Sequence, residues 1–313
     1  MNQICVSCDG KINNTGRSAS DKVFGLDSAL IYVPLTASDG TVNSLDLTAS
    51  DLDAELLGKF NNPDPTKRWY LVQKVQSVTS ETAEATFETS PTNERFKLLD
   101  GIQNFNYGIW DISRAYFNQL SAMCVDFGIV RIDDCGNMLG ELSDDSTEFY
   151  PRAVNKYSYS AIYQNKAADA SPKALIDFDF ERLTKSGNQV MLDVNSFTYN
   201  PLRMSSMLQA VLTVLSVDSA TEVSVKVELI YGTALNKIPV EGLAIADFDI
   251  FDQTAGASIA PVVGVTDGVN AGEYKITTPA TVTGQLYDLS VFKAALTERE
   301  QGIESYSAEY ESL

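Results

Sequence analysis

A chain of 313 residues with 23 Lys and Arg against 42 Asp and Glu carries a formal net charge of −19, which opposes phosphate backbones and anionic lipid and disfavours a reader of nucleic acid. With 44% hydrophobic and 21% charged residues it has the composition of a chain that buries a core, not of a disordered one. Its length exceeds what one core comfortably serves, so two domains are expected.

Residues 1–22 are polar and rich in Gly, Asn and Ser, as in Asp9-Gly10 and Asn13-Asn14-Thr15-Gly16, and read as an extended arm. The start of the chain lacks the basic and apolar regions of a signal peptide, and the densest apolar run, 207–215, is too short to span a bilayer. A soluble chain made in a cytosol is therefore expected. A strand is predicted over 29–35, with Pro34 at an edge or an end. Ser50 or Asp51 caps a helix that Gly58 closes. Strands follow over 69–78 and 84–89, where apolar and polar residues alternate. Asp111 caps a short helix to Leu120, whose apolar positions Ile112, Ala115, Tyr116 and Leu120 keep helical spacing. Beyond a strand over 122–132 and a turn at Asp134-Cys135-Gly136, the clearest strands are 157–163 and 174–180, with another over 191–197.

Pro201 then opens a predicted helix over 202–215. Across 221–231 the period switches to two, with Val223, Val225, Val227 and Leu229 on one face. That switch places a domain boundary near 217. Short strands alternate with turns to about Phe292, as in a β-sandwich, and an acidic, mobile tail follows from Leu296. The organisation expected is an arm (1–22), a β-rich assembly domain with short helices (23–216), a sandwich (217–295) and an acidic tail (296–313). The fold class is mainly β with a few helices (α+β).

Chemistry-bearing patterns are sparse. The chain has no His, which removes Ser-His-Asp and Cys-His catalysis and imidazole-ligated metals. Phosphate-cradling glycine loops and nucleophile elbows do not occur. Cys5 and Cys8 form a C-x-x-C pair, but Cys124 and Cys135 do not repeat the spacing, so reduced, structurally idle thiols are expected rather than zinc. Asp177, Asp179 and Glu181 share one strand face, as do Asp247 and Asp249. Paired acids can serve glycoside hydrolysis or calcium binding, but a solvated face opposite Ile176, Phe178 and Phe180 is the simpler reading. No catalytic, cofactor-binding or metal-binding residue is expected, and the protein is read as no enzyme. The aromatics of 105–110 and Tyr157, Tyr159 and Tyr163 fit a sheet core, a sugar platform or a subunit contact.

Val223-Ser-Val-Lys-Val, then Gly242-Leu243 with Asp247-Phe248, then Gly272-Glu-Tyr274-Lys-Ile276 resemble a bacterial immunoglobulin-like domain over about 217–295. Such domains serve as spacers, adhesive modules or surface decorations; the Cys-Trp-Cys core of antibody domains is absent. More loosely, the polar arm, strand-rich body, acidity and appended module make 1–216 resemble virion proteins of tailed bacteriophages, the tail-tube protein best. That resemblance implies a tail-tube-like β-sandwich or barrel body. It implies hexameric rings of this chain stacked into a tube through which DNA passes, with other virion proteins as partners and a location in the virion. No membrane and no sequence-specific nucleic acid would be bound, and Asp177, Asp179 and Glu181 are the candidate lumen-facing acids. The competing expectation is a receptor- or glycan-binding adhesin, baseplate or capsid-associated protein that uses the Ig-like domain.

Overall fold

Ala29, Leu30, Ile31, Tyr32 and Val33 are all sealed from solvent, on both faces of one strand, β1 (Asp27–Pro34). A strand apolar on both faces has to lie between two layers, and this requirement organises the N-terminal half. The computed structural model describes residues 24–89, 94–99, 101–110, 112, 114–121, 126–166, 171–181, 189–204, 207–230, 237–259, 262–279, 281–294, 302–305 and 307–313. The arm, Asp111, Cys5, Cys8 and Cys124 lie outside them. Among the described residues the fold is mainly β, with 52% strand, 10% helix and two α-helices, its sheets curled into half-barrels.

After β1 come β2 (Leu45–Asp46), α1 (Leu52–Phe60), β3 (Tyr70–Gln73), β4 (Val75–Thr82), β5 (Thr86–Thr89), β6 (Arg95–Leu99), β7 (Gln103–Trp110) and α2 (Arg114–Ser121). The N-terminal half continues with β8 (Phe127–Asp133), β9 (Met138–Leu142), β10 (Glu148–Tyr150), β11 (Arg152–Ala153), β12 (Ser160–Gln164), β13 (Lys173–Asp179) and β14 (Gln189–Leu192). One sheet has the order β2-β10-β9-β8-β1-β3, with β11 beside β8 and β14 beside β9. A second has the order β12-β13-β7-β4, and β5 pairs with β6 as a separate hairpin. Leu30 and Tyr32 face the second sheet and pack with Phe105, Tyr107, Ile176 and Phe178. Ala29, Ile31 and Val33 face the other way, where Leu56 and Phe60 of α1 cover them. In the sealed interior the hydroxyls of Tyr32 and Tyr107 hydrogen-bond to each other, and burial pushes both phenols well above their ordinary range.

Three local expectations are corrected. The stretch 69–78 is not one strand: Lys74, at φ 61°, turns the chain from β3 in the first sheet to β4 in the second. Gly58 does not stop α1, which is capped by Asp51 (Oδ1 accepts from Ala54 N at 3.0 Å) and runs on to Phe60. Packing of the buried pair Leu56 and Phe60 outweighs the propensity cost of one glycine. Pro201 opens only a 3-10 turn (Pro201–Arg203), and the predicted helix is instead strand β15 (Leu208–Ser219). Its β-branched Val211, Thr213, Val214 and Val217 suit a pleated ladder, and Leu212 and Val214 lie opposite Val227 and Val225.

The chain divides into two compact units, residues 1–204 and 205–313. Residues 205–216 thus belong to the C-terminal unit, because β15 pairs with β16 (Glu222–Ile230). The strands that follow are β17 (Lys237–Pro239), β18 (Phe248–Asp252), β19 (Ala257–Ser258), β20 (Gly264–Asp267), β21 (Glu273–Thr277), β22 (Leu286–Lys293), β23 (Ile303–Ser305) and β24 (Ala308–Glu311). Their order is β19-β18-β22-β23-β15-β16-β21-β20, with β17 beside β16 and β24 beside β22. Val223, Val225, Val227, Ile250, Tyr274, Ile276, Leu289 and Val291 form its core. Where the structure describes the acidic tail, at 302–305 and 307–313, it is not a loose end: β23 and β24 pair with β22, and Tyr310 is buried against Tyr287. Because this unit has its own core, residues 205–313 expressed alone should unfold in one cooperative transition by circular dichroism. A gradual, featureless melt would show that the unit needs the rest of the chain.

Loops of the N-terminal unit reuse one device. Asp39, Asp46 and Asp64 each accept hydrogen bonds from both the backbone N–H and the hydroxyl of the Thr two residues on. These donors hold the carboxyls of Asp46 and Asp64 below the usual 3.8, and the Lys67 ammonium with Thr41 does so for Asp39. A depressed carboxyl contributes order that is complete above the ordinary value and lost as pH falls through the lowered one. Carboxyl NMR titration should therefore give these three midpoints below 3.8; ordinary midpoints would mean the turns do not form in solution.

Candidate functional site

Along β13 the side chains alternate. Ala174, Ile176 and Phe178 are buried, while Lys173, Leu175, Asp177 and Asp179 line the outer face of the second sheet. The inner face is held by rings: Phe178 lies 5.5 Å from Phe105, 6.3 Å from Tyr159 and 5.3 Å from Phe180, centroid to centroid. Those contacts fix which way the acids point.

Register brings other strands to the same outer face. Asp179 lies opposite Asn104, which lies opposite Glu81; Ser160, Asp177, Asn106 and Thr79 form the next row. Asn104 Nδ2 donates to Asp177 Oδ1 at 2.8 Å and to Asp179 Oδ1 at 3.1 Å, tying the two carboxylates together. Further along, the Trp110 ring lies across Gly108, where a Cβ would come within 2.4 Å of it. Lys173 Nζ sits 5.2 Å from that ring's centroid. Ile162 and Leu175 complete this apolar end. Among the outward residues of the four strands, Glu81, Asp177 and Asp179 thus face one cation, Lys173. The face is acidic at one end and apolar at the other.

Glu181 does not join this group. The ladder of β13 ends at Asp179, and Glu181 N donates to Ala153 O. Its side chain lines an open cleft with Leu35, Thr36, Asp126, Val154, Asn155, Lys156 and Tyr157. There Lys156 pairs with Asp126 at 2.6 Å, and Tyr157 is 90% exposed. Asp247 and Asp249 are separated as well. Asp247 Oδ2 accepts from Ala244 N to cap a 3-10 turn, whereas Asp249 projects from β18 towards Ser258. Sequence reasoning missed Glu81 and Asn104, which reach the acids only through long-range pairing.

Cys135 is half-buried in the turn after β8, where Asp133, Asp134 and Cys135 bring ligand-type atoms within 4.8 Å of one another. Both oxygens of Asp133 already accept from that neighbourhood: Oδ1 from Cys135 N and Asn137 N, Oδ2 from Asn137 Nδ2 and Gly25 N. The carboxylate is a turn organiser. No helix among the described residues is long and apolar enough to cross a membrane.

Comparison of the chain with protein-family models, curated proteins and solved structures gives no match.

Proposed function

We propose that the protein is a structural component of a tailed-bacteriophage virion that assembles into closed rings, stacked as a tube whose lumen carries the acidic sheet face. The observation that carries this reading is the second sheet itself. Among the described residues β12 pairs only with β13, and β4 only with β7, so both of its edges present unpaired backbone groups. Open edges are a liability unless another chain covers them, and a ring of copies does that without leaving a free end. The hairpin β5–β6 supports the same reading. Phe87 is 40% and Phe96 52% exposed, and a lone two-stranded hairpin is marginal in water. A neighbouring copy is the cover it lacks.

In this assembly Glu81, Asp177 and Asp179 keep passing DNA from adhering to the wall. Like charge is screened beyond about 10 Å at 0.1 M salt, so the lumen stays open to DNA. The C-terminal unit would serve as an Ig-like decoration module.

Negative-stain imaging across protein and salt concentration tests the proposal. Rings and tubes should become more abundant as salt screens the net charge of −19. The double variant Phe87→Ser/Phe96→Ser should keep the wild-type melting temperature, since both side chains are exposed, yet lose tubes. Asp177→Lys/Asp179→Lys tubes should retain duplex DNA that wild-type tubes release. A wild-type protein monomeric at high salt and concentration contradicts the tube.

A further inference from the structure

The three tyrosines of the segment 157–163 have different surroundings. Tyr159 packs on Phe127 and Phe178 and donates its hydroxyl to Leu120 O; Tyr163 packs on Phe117 and donates to Ile112 O. Tyr157 has no ring partner among the described residues and is 90% exposed. Lys156 Nζ lies over one face of its ring, 5.5 Å from the centroid, and the other face is open to solvent. This open ring lines the same cleft as Glu181, a space of about 350 Å³.

Backbone hydrogen bonds tie the cleft walls together: Leu35 N to Asp126 O, Asn155 N to Asp179 O and Glu181 N to Ala153 O, each at 2.9 Å. Asn155 fixes the turn that presents Tyr157. Its Oδ1 accepts from Tyr157 N at 3.2 Å, and its carbonyl accepts from Ser158 N at 3.0 Å and Ser158 Oγ at 2.7 Å. With Oδ1 turned to the backbone, the amide Nδ2 remains a donor. The Thr36 hydroxyl and the Glu181 carboxylate also have no protein partner among the described residues. Asp126 differs, since Lys156 matches its charge at 2.6 Å. Only Leu35 and Val154 of the lining are aliphatic, too little for an apolar ligand. An ammonium ligand over the ring would meet the like charge of Lys156. A sugar meets neither objection. Its C–H face lies on an aromatic ring, and its neighbouring hydroxyls donate and accept, satisfying a carboxylate and an amide together.

We propose that this cleft of the N-terminal unit binds a neutral saccharide, with one pyranose ring stacked on Tyr157 and its hydroxyls held by Glu181 and Asn155. The net charge of −19 sets the preference for neutral glycans, because sialylated or sulfated ones are repelled. The cleft lies outside the C-terminal unit and is complete in one chain, so the site stands apart from the tube reading.

An array of neutral glycans built on glucose, galactose, mannose and N-acetylglucosamine, with sialylated and sulfated glycans for contrast, tests this when probed with the labelled full chain. Signal should fall on neutral glycans; a blank array, or one that responds only at anionic glycans, overturns the proposal. Titration calorimetry with the free form of a responding glycan should then find Tyr157→Ala at least about tenfold weaker than wild type, and Glu181→Gln several-fold weaker. Both side chains are exposed, so both variants should keep the wild-type melting temperature. Saturation-transfer NMR should place the strongest transfer on the protons of one pyranose face, and Tyr157→Ala should abolish that pattern. Equal affinities in wild type and Tyr157→Ala overturn the site. Negative stain of the same variant separates sugar binding from assembly. Lost binding with an unchanged oligomeric state supports the site, whereas a changed oligomeric state assigns Tyr157 to a subunit contact and overturns it.

Discussion

Phe178→Ala should destabilise the N-terminal unit by about 3–5 kcal/mol, a large part of the ~5–15 kcal/mol that holds a typical domain together. Phe178 is fully buried and its ring meets four others: Phe105, Tyr107, Tyr159 and Phe180. Truncation removes the transfer energy of the ring and leaves a void that a sheet pinned on both sides cannot collapse to fill. Guanidinium unfolding should show a lower midpoint with an unchanged slope for this unit, while the transition of the C-terminal unit stays in place. Ile162, 57% exposed on the opposite face of the same sheet, is the control, and its Ala variant should lie within about 0.5 kcal/mol of wild type. If the two variants cost the same, the inner face is not the one that packs.

Deleting residues 308–313 should be nearly as damaging to the C-terminal unit. The deletion removes β24 and with it Tyr310, 5% exposed and stacked on Tyr287 at 5.6 Å. It also strips Ser312, whose backbone accepts from Gly284 N at 2.9 Å and donates to Gln285 O at 3.0 Å. Loss of one buried aromatic costs about 3–5 kcal/mol. At roughly 4–8 °C per kcal/mol for a domain near 100 residues, the melting temperature should fall by at least about 12 °C. Scanning calorimetry of 205–313 against 205–307 reads the difference directly. An unchanged melting temperature would restore the mobile acidic tail expected from composition.

The tail shows where composition misleads. Glu304, Glu309 and Glu311 make it read as solvated, but the alternation Ala308, Glu309, Tyr310, Glu311 puts Tyr310 in the core and the acids outside. Four residues are too few for that period to stand out from a charged background. What the sequence determined by itself was local: the two-residue alternation of 174–180 and 223–229, which gave the buried faces and aimed Asp177 and Asp179 outwards, and the Asp51 cap of α1. In the run 207–215, Met207 and Leu208, Val211 and Leu212, and Val214 and Leu215 are spaced as on a helix, so the local pattern pointed the wrong way. Pairing with β16 decided for strand, because the ladder and the Val225 and Val227 contacts lie outside any local window. The same holds for the corner at Lys74 and the meeting of Glu81 and Asn104 with Asp177 and Asp179. Each joins residues distant in sequence or fixes a backbone angle that only the packed sheets impose, and such long-range terms leave no periodic trace in the chain.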